Sequence, residues 1–362
     1  MSTEDLIKVQ PLSPEAVPLV MCCDDNYLPY AGVVLQSLAD NGDPTTFYDV
    51  CLLTDGPIGQ ADQDRLAEMN LPADRISLRL FDISGYAERC RAAFTSRHIT
   101  LAAYYRLFIP EIFQAYERVI YLDCDLVVLA DLKPLYETDL EGRSLGGVPD
   151  LVILMRYDRG LLLENSVDAR EHIDQVLKKR YPHTYIFSGL LVIDTARSLA
   201  VDRRQSLIGQ ALKKNYLYHD QDVVNEVFDG DIKLLKQKWN LVSHAWEIDF
   251  GGVSEITAAC RRDYDQALKA PAVFHYGGKK PWQYLTVYRA DLFWEYAVKT
   301  PFFDIIQSRL ESFQPLPDYR GMERIFSFKN VGNHKVLTLL GLRFKWMRKK
   351  AAQVLAGIHK TR

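Results

Sequence analysis

Three stretches in the first part of the chain are apolar along almost their whole length: VPLVMCC (17–23), DVCLLTD (49–55) and RVIYLDCDLVVL (118–129). Between them AGVVLQSLAD (31–40), DQDRLAEMN (62–70) and LAAYYRLFIPEIF (101–113) carry apolar residues at helical spacing, while ISLRLFD (76–82) alternates. A strand that is apolar on both faces has to be covered on both, and helices inserted between successive strands supply the two covering layers. The pattern predicts an α/β fold with a mostly parallel central sheet and helices on both faces. In such sheets a ligand lies beyond the carboxyl ends of the strands. Those ends are acidic here: Asp24, Asp25 and Asn26 follow the first run, and Asp123 and Asp125 interrupt the last. Farther on, YIFSGLLVIDT (185–195) reads as a central strand and PAVFHYGG (271–278) as a late strand entering a loop.

Asp-x-Asp recurs at Asp62/Asp64, Asp123/Asp125, Asp220/Asp222, Asp229/Asp231 and Asp263/Asp265, so the spacing alone carries little. Asp123/Asp125 differs because VIYL is a strongly strand-like lead-in, and in extended chain positions i and i+2 face the same way. Two converging carboxylates repel unless a cation sits between them. Mg²⁺ or Mn²⁺ on such a pair spends its remaining positions on water and phosphate oxygens. A solvated acidic turn is the competing reading. HYGGKKPW (275–282) adds an imidazole, a glycine pair and Lys279 and Lys280, which together supply a third ligand, backbone N–H groups and a point charge for a metal-bridged diphosphate. Its plain alternative is a packed histidine. Arg106, inside the helical segment, could equally make a surface ion pair.

The segments CCDDNY, RHITLAAYYRL, VIYLDCDLVV, YIFSGLLVID, YHDQDVVN, KWN and HYGGKKPW, in this order over residues 17–300, resemble glycosyltransferase family 8, the bacterial lipopolysaccharide galactosyl- and glucosyltransferases and their glycogenin-like relatives. The resemblance implies a GT-A nucleotide-diphospho-sugar transferase fold, a divalent metal (Mn²⁺ or Mg²⁺), a UDP-hexose donor and retaining transfer of glucose or galactose to a saccharide or lipid-linked glycan acceptor. It implies Asp123, Asp125 and His275 as metal ligands, and Asp24 and Asn26 at uracil and ribose. Gly278 and Lys280 would hold the diphosphate. Arg106, Asp150, Asp220 and Gln221 would surround the donor sugar, with Ser188 beside it. Two features depart from the pattern. Phe187 stands where the family has an asparagine before Ser188-Gly189, and the loop from Gly278 to Lys280 is one residue short, so that Lys279 could replace Lys280. Rival readings are a catalytically silent UDP-sugar- or glycan-binding relative and a sugar nucleotidyltransferase, although CCDDNYLPY lacks the basic, glycine-rich loop of the latter.

The expected organisation is an N-terminal tail (1–16), a catalytic domain (17–312) and a C-terminal extension (313–362), divided near ESFQPLPDYRG (311–321). From Lys329 onward there are nine Lys and Arg residues and no acid, so the body is more acidic than the total charge of −3 shows. VLTLLGLRFKWMRKKAAQVLAGIHKTR reads as a basic amphipathic helix, with Leu339, Leu342, Trp346 and Leu355 on one face. That composition suits an anionic membrane surface; nucleic acid is not an expected partner, because an acidic body repels phosphate chains. With no signal-like start and no apolar run near 18 residues, the expected location is cytoplasmic, peripheral on the inner face of the plasma membrane. Six cysteines without CxxC spacing read as buried reduced thiols. The segment 150–183, with Arg156, Tyr157 and Arg159, is the expected donor lid and acceptor wall.

Overall fold

A computed structural model of the chain describes residues 6–95, 100–313, 326–339 and 342–361. Its strands are β1 (Val17–Cys22), β2 (Tyr48–Thr54), β3 (Ile76–Asp82), β4 (Arg118–Leu122), β5 (Leu126–Val128), β6 (Leu145–Pro149), β7 (Ile186–Asp194), β8 (Ile232–Leu234), β9 (Leu241–Val242), β10 (Val273–His275), β11 (Phe326–Val331), β12 (His334–Leu339) and β13 (Leu342–Met347). The main sheet runs β3-β2-β1-β4-β7-β6-β8. Every residue of β1 and β2 is buried, as their unbroken apolar runs require, whereas the alternating β3 lies at the sheet edge with only Ile76 buried.

Strand β7 alone runs against the rest: it pairs antiparallel with both β4 and β6, while the other neighbouring strands pair parallel. Its amino end therefore lies at the carboxyl edge of β4. Leu122 faces Leu190, and the Asp123 N–H donates to the Gly189 carbonyl at 2.9 Å. A smaller sheet, β5-β10-β9, sets Leu126 opposite His275 and His275 beside Val242. The two sheets thus deliver the ends of β4, β7 and β10 to one place.

Residues before β1 are tied to the body. Val9 is buried with its N–H on the Ile112 carbonyl, and Arg79 reaches the Gln10 carbonyl. The five buried cysteines, Cys22, Cys23, Cys51, Cys90 and Cys124, and the half-buried Cys260 are free thiols. The anticipated boundary at 311–321 falls mostly outside the described residues.

The helical reading of the C-terminal extension is corrected over its first part. Residues 326–339 and 342–347 form the antiparallel sheet β11-β12-β13, turned at Gly332-Asn333 between its first two strands, and a helix starts only at Lys349. LRFKW (342–346) alternates with period two, and over five residues that is a strand signal that an apolar-basic mixture disguises as one helical face. Asn333 accepts from the Leu285 N–H and Arg348 donates to Thr286, docking the extension on the loop after Trp282.

The helix Leu28–Asn41 packs so closely that a Cβ on Gly32 would lie 2.7 Å from Cδ2 of the fully buried Phe302. Alanine gains about 1 kcal/mol of helix propensity over glycine, but overpacking a rigid ring costs about 1–3 kcal/mol. Gly32→Ala should therefore destabilise the protein by about 1 kcal/mol, read from the midpoint of denaturant unfolding at unchanged slope.

Candidate functional site

The chain leaves β4 at Leu122 and re-enters β5 at Leu126, and the bend between them carries Asp123 and Asp125. Each carboxylate has one oxygen held from outside. Asp123 Oδ1 accepts from Arg106 Nη2 at 2.8 Å and from the Tyr121 hydroxyl at 2.6 Å, and Asp125 Oδ2 accepts from Lys280 Nζ. The remaining oxygens turn to His275, whose Nε2 is 2.9 Å from Asp125 Oδ1 and 3.9 Å from Asp123 Oδ2. One ligand atom from each of the three lies within 4.8 Å of the others. Burial would push the Asp125 carboxyl up, but Lys280 and then His275 hold it well below the usual carboxylate range.

This donor set fits a metal. His275 Nδ1 is 2.8 Å from Asn240 Oδ1, and with its hydrogen on that side a neutral ring would present the Nε2 lone pair to a cation shared with two carboxylate oxygens. A cation between the three ligand atoms would offset the repulsion of the two carboxylates. Two oxygens and one imidazole suit Mn²⁺ or Mg²⁺ and leave positions for water or phosphate. The floor of the cluster is Gly189: a Cβ there would lie 2.2 Å from His275 Cε1 and 2.6 Å from Asp123 Oδ2.

Arg106 does not lie on the surface. It starts the 3-10 turn Arg106–Phe108 in a run of short helical turns, is 7% exposed, and stacks 4.5 Å from the Tyr121 ring centroid. Nη1 donates to the Ser188 carbonyl at 2.8 Å and Nε lies 3.1 Å from Asp220 Oδ2, which also accepts from the Ser188 hydroxyl at 3.0 Å. Burial pushes the Asp220 carboxyl up to about 6; Arg106 opposes that shift and Asp123 adds to it. Gln221 joins the same group, its Nε2 3.1 Å from Asp150 Oδ2 and its Oε1 accepting from the Ser188 N–H at 3.2 Å. Asp150 caps the helix Leu151–Arg159 through the Ile153 N–H, and burial raises its pKa. Asp222, the other half of the Asp220 pair, faces away to His172 and Tyr185, and burial, then Asp222, raises the Tyr185 hydroxyl well above its usual pKa.

Of the anticipated site residues, Asp123, Asp125, His275, Lys280, Arg106, Ser188, Asp220, Gln221 and Asp150 form one connected group. Asp24 and Asn26 stand apart from it in the turn after β1, which lies beside β4. Asp24 Oδ1 accepts from the Tyr27 N–H at 3.0 Å, and Asn26 is exposed. Gly278 is exposed with φ of 81°, in the left-handed region that favours glycine. Between the two lysines, Lys280 reaches Asp125, while Lys279 Nζ sits over the Tyr284 ring. Phe187 packs its edge on the His275 ring, centroids 5.0 Å apart. In the segment 150–183, Arg156 donates to the Leu162 carbonyl, Tyr157 to Asp174 and Arg159 to the Asp249 carbonyl. Sequence reasoning gave no part to Gly189, Asn240 and Tyr185, although YIFSGLLVID contains the first and the last and KWN the second.

Asn240→Leu removes the group that orients the His275 ring while preserving size. It should weaken Mn²⁺ affinity about 10- to 100-fold with the fold retained, as read by titration calorimetry beside a thermal melt.

The family model described as "Glycosyl transferase family 8" matches residues 18–286. General stress protein A of Bacillus subtilis is 27% identical over 275 residues, covering 74% of this chain and 88% of that protein. Glycosyltransferase GlyF of Streptococcus pneumoniae serotype 4 is 27% identical over 206 residues, 56% of this chain and 43% of its own. Among solved structures, the apo form of the bifunctional glycosyltransferase WbbM superposes with a TM-score of 0.72 at 27% identity, over 84% of this chain and 53% of WbbM. The galactosyltransferase LgtC, in complex with donor and acceptor sugar analogues, superposes with a TM-score of 0.62 at 25% identity, over 79% of this chain and 96% of LgtC. The chain thus matches most of the stress protein and of LgtC, but only about half of GlyF and WbbM.

Proposed function

The chain belongs to glycosyltransferase family 8, a family of sugar transferases, and from that premise we propose a metal-dependent, retaining hexosyltransferase that moves glucose or galactose from UDP to a lipopolysaccharide-core or other glycan acceptor. The observation that carries the reading is the convergence of Asp123, Asp125 and His275 with the Lys280 amine beside them. Those three residues would hold Mn²⁺ or Mg²⁺, which when bound supplies Lewis-acid stabilisation to a departing diphosphate. Lys280, poised on Asp125, adds a positive charge for the same oxygens, and Gly278 offers backbone that a phosphate can approach closely. Asp24 and Asn26, in the turn after β1, would take the uracil and ribose.

As the glycosidic bond breaks the sugar becomes positive, and the buried Asp150 and Asp220 balance that charge. Arg106 and Ser188 keep Asp220 in place. Gln221, the side chain the family sets nearest the anomeric carbon, is an amide and a poor nucleophile. Attack by the acceptor from the leaving-group side, with a phosphate oxygen taking its proton, accounts for retention without a covalent intermediate. Phe187, an apolar edge on His275, is the residue that sets donor preference in this reading.

The test is UDP release from a panel of UDP-sugars, with and without Mn²⁺. Release from one donor, dependent on Mn²⁺ and lowered at least about 100-fold in Asp125→Ala, is the expected result. Mn²⁺-dependent UDP binding with no turnover of any donor would support the silent glycan- or nucleotide-binding relative instead.

In this reading the domain 17–312 is catalytic and the C-terminal extension meets an anionic membrane at its inner face. The β11-β12-β13 sheet exposes Phe328, Phe344 and Trp346, Lys335 lies over the Phe328 ring, and from Lys329 onward no acid offsets the nine basic residues. Each basic residue near an anionic surface contributes about 1 kcal/mol. Among the described residues no helix is long and apolar enough to cross a membrane. The protein should co-sediment with phosphatidylserine vesicles at low salt and not with phosphatidylcholine vesicles. The paired change Phe344→Ser with Trp346→Ser should reduce that binding several-fold; equal binding to both vesicles, or no effect of the change, would contradict a membrane contact here.

A further inference from the structure

Behind Ser188 and Gly189 in β7, three buried side chains with no part in the chemistry above form a line that ends on Gln221. His172, in the helical turn Glu171–Val176, sets Nε2 3.0 Å from Asp222 Oδ2. The Tyr185 hydroxyl donates to Asp222 Oδ1 at 2.6 Å, and Gln221 Nε2 lies 3.2 Å from the Tyr185 oxygen. Asp222 and Tyr185 are fully buried and His172 is 2% exposed. The Tyr218 N–H closes the group on Asp222 Oδ2 at 2.9 Å.

The direction of each bond follows from what its partner can do. A carboxylate oxygen only accepts, so Tyr185 spends its one hydrogen on Asp222 and can only accept from Gln221. The amide nitrogen of Gln221 must then face Tyr185 and Asp150, and its carbonyl must face the Ser188 N–H. Both amide hydrogens and one carbonyl lone pair are consumed by protein. Gln221 is thereby a brace between Asp150 and Ser188, and Ser188 in turn touches Asp220 and Arg106.

We infer that Tyr185, Asp222 and His172 are positioning residues that hold the Gln221 amide in one orientation and so fix Asp150 and Ser188 for sugar transfer. The kinetic consequence rests on the transferase reading; the orientation does not. Tyr185→Phe keeps the ring and removes only the hydroxyl. Asp222→Asn can donate to Tyr185, which turns that hydroxyl toward Gln221 and favours the flipped amide.

The experiment is a double-mutant cycle in kcat together with crystal structures of wild type and Tyr185→Phe. Tyr185→Phe and Asp222→Asn should each lower kcat about 10- to 100-fold with donor KM within about twofold, because small misplacements at a reacting centre cost that much. Added to Gln221→Ala, Tyr185→Phe should lower the residual kcat no further. An unchanged kcat in Tyr185→Phe, or the same loss in both backgrounds, would overturn the inference. If wild type transfers no sugar, the transferase reading fails and the crystal structures decide the brace alone: Gln221 should leave Asp150 or Ser188 in Tyr185→Phe, and an unmoved Gln221 would overturn it. Should Tyr185→Phe not fold, Asp222→Asn carries both arms.

Discussion

Arg106 is 7% exposed and divides its guanidinium among separate parts of the chain: the Ala103 carbonyl in its own turn, Ser188 at the start of β7, Asp123 at the end of β4, and Asp220 on the helix His219–Val227. Leaving one member of such a buried group unpaired costs about 3–5 kcal/mol, so each element is held where the guanidinium needs it. Burial alone would make Arg106 easier to deprotonate, but Asp123 and Asp220 keep it charged. Asp123, Asp125 and Asp220 gather around two fixed cations, Arg106 and Lys280, and a fourth carboxylate, Asp150, joins them through Gln221. A site short of two positive charges, with three ligand atoms converging, is electrostatically prepared for a divalent cation.

The reversal of β7 makes that gathering possible. Were β7 parallel to β4, its amino end would lie at the opposite edge of the sheet, and Ser188 and Gly189 could not meet Asp123. Reversed, it brings a backbone without a Cβ under His275, a hydroxyl onto Asp220 and an N–H onto Gln221. The same strand is led in by Tyr185, so the brace behind Gln221 and the floor under the cluster come from residues four apart. Orientation of the amide and closeness of Asp123 to His275 are two results of one strand placement.

The C-terminal extension shows how a local pattern can mislead. Basic and large apolar residues in alternation satisfy a helical face when only four positions are compared, yet over 342–346 the period is two. Gly332 and Asn333 mark a hairpin that a helix could not contain. The strand reading exposes Phe328, Phe344 and Trp346 together on one sheet face, a broader apolar surface than the single helical stripe expected from the sequence.

The α/β class, the double-sided burial of β1 and β2 and the buried thiols were legible because they depend on periodicity and on residue chemistry within a few positions of one another, whereas the association of DCD with HYGGKKP was legible only through the family resemblance. That Lys280 rather than Lys279 reaches Asp125, the burial of Arg106, and the contacts of Gly189, Asn240 and Tyr185 were not. A glycine inside an apolar strand looks the same whether or not a histidine from a distant strand lies 2.2 Å from its missing Cβ. The sequence by itself determined which carboxylates, imidazole and cations were available and that they would stand at strand ends. Only the tertiary structure decided which of them share a cluster and which way each turns, because register between β4 and β7 and between β5 and β10 joins residues far apart in the chain and leaves no local mark.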